Sequence, residues 1–312
     1  MTAKTENALR KRSASYRLSA FIFLIVSIYV IIFSKRISEA TLYGIRLSAL
    51  NVIPSLFPFF ILSDLLTSSV EINNKGFLSR AFSKTFSISP AGLGAFALGA
   101  IGGFPLGVKC AARLYEKGEI SKNELERLIG IVNNPSPAFV ITAVGALMLG
   151  NALYGLILYF AVSISAIISG LIFKQKCNFS QISDKTSGQN FNLINSIKSA
   201  GESSIVISSF IIFFSTVIGA LSVLINDGTT LAIASSLFEI GNAASRISAL
   251  TLPLPVMTAL LGFALGFSGL SVHLQAFALL PKEISKRRYI FMKCLQGLLT
   301  AALSGIVFTV FL

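Results

Sequence analysis

Apolar runs as long as a bilayer is thick recur along this chain. They read LSAFIFLIVSIYVIIF at 18–33, ALYGLILYFAVSISAIISGLIF at 152–173, SSIVISSFIIFFSTVIGALSVLI at 203–225 and CLQGLLTAALSGIVFTVFL at 294–312. A helix needs about 20 apolar residues to cross the hydrocarbon core, so each run is expected to span a membrane. Other apolar runs are interrupted. NVIPSLFPFF carries Pro54 and Pro58, GAIGGFPLGVK at 99–109 carries four glycines and Pro105, and LGFALGFSGLSVHLQ at 261–275 carries Gly262, Gly266 and Gly269. Proline removes a helical hydrogen bond, and in lipid the released backbone groups must find partners inside the protein or in a wet cavity. Broken or re-entrant helices are therefore expected.

The polar stretch KQKCNFSQISDKTSGQNFN at 174–192 has no apolar period and reads as a solvated linker. The segments on either side are alike. ALGAIGGFPLG at 97–107 precedes EIS at 119–121, and ALGFSGLSV at 264–272 precedes EIS at 283–285. The expected architecture is all-α, a polytopic helical membrane protein of about eight segments in two repeated halves. Its expected parts are a cytoplasmic basic N-terminus at 1–17, a first membrane half at 18–173, a polar cytoplasmic linker at 174–194 and a second membrane half at 195–312. The first run follows RKRSASYR without a small-x-small cleavage site, which favours an uncleaved first helix.

Composition strengthens this picture. Of 312 residues 54% are hydrophobic and 12% charged, against about 25% charged in soluble domains. The net charge of +13 reflects Lys and Arg gathered in short loops, as cytoplasmic loops require, and not a nucleic-acid surface. Basic residues in 4–17, 174–185 and 281–289 place those segments and the N-terminus in the cytoplasm of a multi-pass cell-membrane protein. NDG at 226–228 is expected outside, and Lys35, Arg36 and Arg46 run against the scheme. A single histidine and three scattered cysteines give no metal-ligand spacing, and no nucleotide-binding or nucleophile-elbow motif occurs. No catalytic residue, metal or cofactor is expected, and the chain is not read as an enzyme.

Three polar constellations interrupt the apolar background. In NNPSPAF, Asn133 and Asn134 precede Pro135 and Pro137. Asn134 would cap a helix opening at Pro135, or the stretch is a mid-membrane break whose amides meet a polar ligand. In FEIGNAASRI, Glu239 lies in apolar surroundings with Asn242 one turn on. An intramembrane acid marks function by default; the structural alternative is a bridged Glu239–Arg246 pair. In GFSGLSVHLQ, Ser268, Gly269, Ser271, His273 and Gln275 form a polar cluster in a candidate hairpin, while small residues there also serve close helix packing. The charged segment YEKGEISKNELERL at 115–128 carries a Ser121/Glu124 capping-box pattern and reads as a solvated turn. Lys109 reads as a residue reaching for the interface.

NVIPSLFPFFILSDLL, GGFPLGVKCAARLYEKGEIS, ERLIGIVNNPSPAFV, LFEIGNAA and GFSGLSVHLQ, in that order, resemble the YlbJ-type sporulation integral membrane protein family of endospore-forming Firmicutes. That resemblance implies a nucleoside-recognition (Gate) domain, similar to parts of concentrative nucleoside transporters with inverted repeats and re-entrant hairpins. It implies that Glu239, Asn242 and the Ser268–Ser271 tip contact a nucleoside-like ligand, with Asn133 and Asn134 at the matching break of the first half. The expected function is binding or transport of a small polar solute during sporulation. The alternative is a non-transporting scaffold for spore cortex or envelope formation. Expected partners are the lipid bilayer, a small polar solute such as a nucleoside, and further copies of the chain in a homo-oligomer; nucleic acid is excluded.

Overall fold

A computed structural model describes residues 21–54, 57–58, 60–62, 85–174 and 192–311. The expected basic N-terminus and most of the expected linker lie outside the described residues. Among the described residues every regular element is a helix.

Helix α1 (Phe21–Ile32) meets α2 (Ser34–Leu47) at 87°. The 18–33 run is thus not one straight span continued by α2. The chain from α2 winds on through a π-helical turn, Ser48–Val52. Helix α3 (Pro90–Gly102) opens on Ser89, whose hydroxyl accepts from Gly92 N, with Pro90 in the first turn, where it costs no hydrogen bond. Helices α4 (Leu106–Glu116) and α5 (Lys122–Val132) follow. A π-helix, α6 (Ala138–Met148), leads into the long α7 (Ala152–Ile172). The second part comprises α8 (Leu193–Leu224), α9 (Gly228–Phe238), α10 (Ile240–Ser248), α11 (Leu254–Phe267), α12 (Gly269–Ala278) and α13 (Arg287–Val310).

Four helical stretches are long and apolar enough to cross a bilayer: α7, α8, α11 with α12, and α13. The bent α1–α2 pair makes up to five. The expected eight segments are not reached among the described residues, because α3, α6 and α9 are apolar but only 11–13 residues long. The glycine-rich 266–269 stretch is no hairpin either: α11 and α12 continue one another as a single stretch, Leu254–Ala278, broken only at Ser268.

Hairpins form elsewhere. Gly99 and Gly107 lie eight residues apart, yet a Cβ on Gly107 would stand 2.9 Å from the Gly99 Cα. A continuous helix would separate them by about 12 Å, so α3 and α4 fold back on one another around Gly103. Likewise Gly228, at the start of α9, meets Leu250 just beyond α10, so α9 and α10 fold back around Glu239. Small residues permit the closest long-helix contacts. Gly262 and Gly266 of α11 face Ser304 and Thr300 of α13, Gly145 of α6 faces Gly155 of α7, and Gly44 of α2 faces Ser215 of α8. This is the packing that lipid-embedded helices need, since apolar burial alone does not drive their association.

The contacts sort the connecting segments onto two faces. On one, Tyr115 bonds Glu283, Ser285 N donates to Glu126, and Lys109 and Arg113 reach Ser199 near the start of α8. On the other, Gly228 meets Leu250, Tyr154 packs edge-to-face with Phe308, and Arg36 donates to Ser222 O near the end of α8. The α3–α4 hairpin enters from the first face and the α9–α10 hairpin from the second.

Candidate functional site

The first polar break is the non-helical stretch 133–136 between α5 and α6. Asn134 does not cap the next helix. Pro137 stands at that position without a side-chain cap, and Ser136 Oγ accepts from Phe139 N. Instead Asn134 Nδ2 donates to Ile131 O at 2.6 Å, and its Oδ1 accepts from Gln296 Nε2 at 2.7 Å. Asn133 Nδ2 donates to the Tyr289 hydroxyl at 2.7 Å, which also lies 2.8 Å from His273 Nδ1. Pro135 forms part of the break, and the α3–α4 tip seats on it. Phe104 N donates to Asn134 O at 2.7 Å, and Gly103, at φ +75°, lies so close to Ser136 that a Cβ would clash.

Beside this break lies a cation that sequence reasoning missed. Lys293 on α13 is fully buried, and its ammonium donates to Asn133 O at 2.9 Å and Gln296 Oε1 at 2.8 Å, with Asn134 Oδ1 at 3.5 Å. Among the described residues no carboxylate is a hydrogen-bond partner of Lys293. The ammonium instead meets the Asn133 carbonyl at the C-terminal end of α5, where the helix dipole favours positive charge. In sequence Lys293 lies in KRRYIFMKC, where it passes for one more interfacial base. The i, i+3 and i+4 offsets of Tyr289, Lys293 and Gln296 on one helix face were the available signal.

The second break is at Glu239. Its backbone is extended, and its carboxylate accepts from Gly241 N at 2.9 Å and Asn242 N at 2.7 Å, capping α10. Asn242 Nδ2 donates to the same carboxylate at 2.8 Å and to Ser215 Oγ at 2.9 Å. The acid is 2% exposed and is held by the positive end of a short helix. The alternative Glu239–Arg246 pair is not formed. The α11–α12 break seats here: Ser268 takes a left-handed conformation at φ +74°, and the site at Gly269 for a Cβ lies 3.1 Å from Glu239 N and Phe238 O. Ser268 Oγ closes back onto Leu265 O.

The sequence candidates thus fall into two groups, each a hairpin tip seated on a broken helix. Asn133, Asn134, Pro135 and His273 belong to the first group, and Glu239, Asn242, Ser268 and Gly269 to the second. Helix α12 joins them, with one helical turn between Gly269 and His273. On the same helix Gln275 Nε2 donates to Ser271 Oγ at 3.0 Å. Three buried polar atoms around these groups have no hydrogen-bond partner among the described residues: the acceptors Asn133 Oδ1 and Gln275 Oε1, and the ring nitrogen His273 Nε2.

Two further segments differ from expectation. The 115–128 segment is not solvated beyond its turn. Glu124, Glu126 and Arg127 are buried, Glu124 Oε1 accepts from Ser89 N at 2.6 Å, and Arg127 reaches Ser87 O. Ser121 still caps α5, but the capping box is half formed, because Glu124 turns to the α3 entrance. Lys109 does not reach for the interface. It is buried against Ser199 and Ser203 of α8, 2.9 Å from each hydroxyl, and lies over the Phe60 ring.

A cavity of about 530 Å³ opens between α2, α8 and α10, with Arg36, Tyr43 and Arg246 in its wall. Of the sequence candidates only Asn242 lines it; Asn134, Glu239 and Gln275 do not.

No family model matches the chain, and no solved structure does. The sporulation integral membrane protein YlbJ of Bacillus subtilis (strain 168) is 27% identical over 329 aligned positions, which cover 91% of this chain and 80% of that protein. The match runs through both polar breaks and the spans around them, and it agrees with the apolar, membrane-capable helices of the structure. That similarity supports a place for the chain beside the YlbJ-type sporulation integral membrane proteins.

Proposed function

We propose that this protein binds a small polar solute at the two polar breaks joined by α12, and moves it across the membrane by shifting the hairpins that seat on them. The observation that carries this reading is the trio of unpartnered buried polar atoms, Asn133 Oδ1, His273 Nε2 and Gln275 Oε1. Leaving such a group without a partner costs about 1–3 kcal/mol, and a solute with several hydrogen-bonding groups would relieve it. Amides, an imidazole and a carboxylate suit a neutral, hydrogen-bonding molecule, with nucleosides the first class to test. Two hairpin-and-broken-helix pairs entering from opposite faces support an inverted repeat, with α3–α4 paired to α9–α10 and α5–α6 to α11–α12. The face bearing 116–122 and 281–288 is rich in Lys and Arg and is assigned to the cytoplasm.

Uptake of labelled nucleosides into proteoliposomes tests the transport reading. Wild type should accumulate at least one member of a nucleoside and metabolite panel, and Glu239→Ala and Asn134→Ala should lose it. Equal behaviour of all three proteins would sink the proposal. One observation favours the scaffold alternative: Glu239 is already satisfied by Gly241 and Asn242. If Glu239→Ala and Asn134→Ala leave spore formation intact at normal protein levels, while exchange of the 115–128 segment abolishes it, the scaffold reading holds.

A further inference from the structure

The cavity between α2, α8 and α10 is not lined by the residues that carry the unpartnered polar atoms of the breaks, Asn133, His273 and Gln275. Its volume, about 530 Å³, is that of a small-molecule pocket. Two guanidiniums face it from different elements. Arg36 of α2 is anchored through Nη1 to Ser222 O at 3.3 Å. Arg246 of α10 is half-buried and, among the described residues, makes no side-chain hydrogen bond or ion pair. Tyr43, Ser222 and Ser245 add hydroxyls, and Glu39 is the one acid in the wall. The side-chain charge of the wall is therefore that of two arginines less one glutamate, a net single positive charge.

Position makes these arginines unusual. Of the connecting segments on their face, 149–151, 225–227 and 249–253 contain no Lys or Arg, and the α1–α2 junction adds Lys35 beside Arg36. Basic residues cluster on the opposite face, so topology supplies no reason for a pair of arginines here. A partly buried guanidinium without a counter-charge is costly near the membrane. Its planar fork is shaped for the oxygens of a phosphate or a carboxylate.

We infer that this cavity is a binding site for a monoanionic oxyacid group, a phosphodiester or a carboxylate, gripped between Arg246 and Arg36. The site stands whether or not the polar breaks carry a solute. Such a group comes either from a soluble molecule or from an anionic lipid headgroup at this face.

The test uses the full chain in nanodiscs and reads the thermal unfolding midpoint. In one arm, phosphatidylcholine discs receive glycerophosphoglycerol or gluconate, with glycerol as the neutral control. In the other, phosphatidylglycerol discs are compared with phosphatidylcholine discs without added solute. A saturable rise of several degrees in the first arm, absent with glycerol, identifies a soluble anion. A rise confined to the second arm identifies a lipid headgroup. In either case Arg246→Gln should weaken the apparent affinity at least tenfold, and Arg246→Lys should restore part of it. Arg36→Gln, at an exposed position, gives the same reading if Arg246→Gln does not fold. No rise in either arm, or full wild-type rises in both arginine variants, overturns the inference.

Discussion

Lys293 is the residue whose role is hardest to see from the chain and plainest in three dimensions. Its ammonium closes the end of α5 by meeting Asn133 O, Asn134 Oδ1 and Gln296 Oε1. Removing it strands those acceptors and leaves a void, so Lys293→Ala should destabilise the protein by about 3 kcal/mol, read from thermal unfolding in detergent. Lys293→Met fills the void but not the hydrogen bonds and should cost less. A Lys293→Ala protein as stable as wild type would show that the network is slack. Tyr289 bridges Asn133 and His273, so Tyr289→Phe should cost about 1–3 kcal/mol by leaving both short of a partner. Sequence reasoning picked out Asn133, Asn134 and His273 because amides and imidazole are conspicuous in apolar runs. It passed over Tyr289, Lys293 and Gln296, because a basic residue near a helix start looks interfacial. Only the fold shows α13 running beside α5, which brings Lys293 to the break. Glu239 was legible as an intramembrane acid, but its local role was not. An extended residue followed by Gly241 and Asn242 makes a helix cap, and the apolar flanks hid that helix start.

At the scale of elements, prolines and glycines announced breaks, but not which breaks reverse the chain. GGFP folds α3 back on α4, whereas the equally glycine-rich GFSG only interrupts a continuing span. The difference lies in what each tip rests on, which no local pattern records. Gly103 and Gly118 separate the two ingredients of such a tip. Both have positive φ, but Gly103 is wedged against Ser136, whereas nothing lies within 4 Å of a Cβ on Gly118. Gly118→Ala should therefore cost about 1–2 kcal/mol of backbone strain, and Gly103→Ala distinctly more, compared by thermal unfolding. Equal costs would mean that the α3–α4 tip does not rest on the first break. The long spans were legible because their apolar runs exceed bilayer thickness. The shorter α3, α6 and α9 were counted among eight segments because hydropathy does not distinguish a crossing from an excursion.

For the whole molecule, hydropathy gave the membrane class, while the two faces emerge from contacts among distant segments. The account predicts that cysteines placed at Lys117 and Lys286, in a background lacking Cys110, Cys177 and Cys294, react with an impermeant maleimide from the same side of sealed vesicles. A cysteine at Asn226 should react from the opposite side. Labelling of all three from one side would dismantle the arrangement of hairpins entering from opposite faces. The central claim is that the paired polar breaks hold a solute and do not serve packing alone. Its most direct measurement is equilibrium ligand binding by purified full-length protein in neutral-lipid nanodiscs, across a nucleoside panel, with Glu239→Gln and Asn134→Ala alongside wild type. The account predicts saturable binding of at least one nucleoside by wild type, weakened at least tenfold in both variants while each remains folded. No saturable binding by wild type, or undiminished binding by both folded variants, would contradict it.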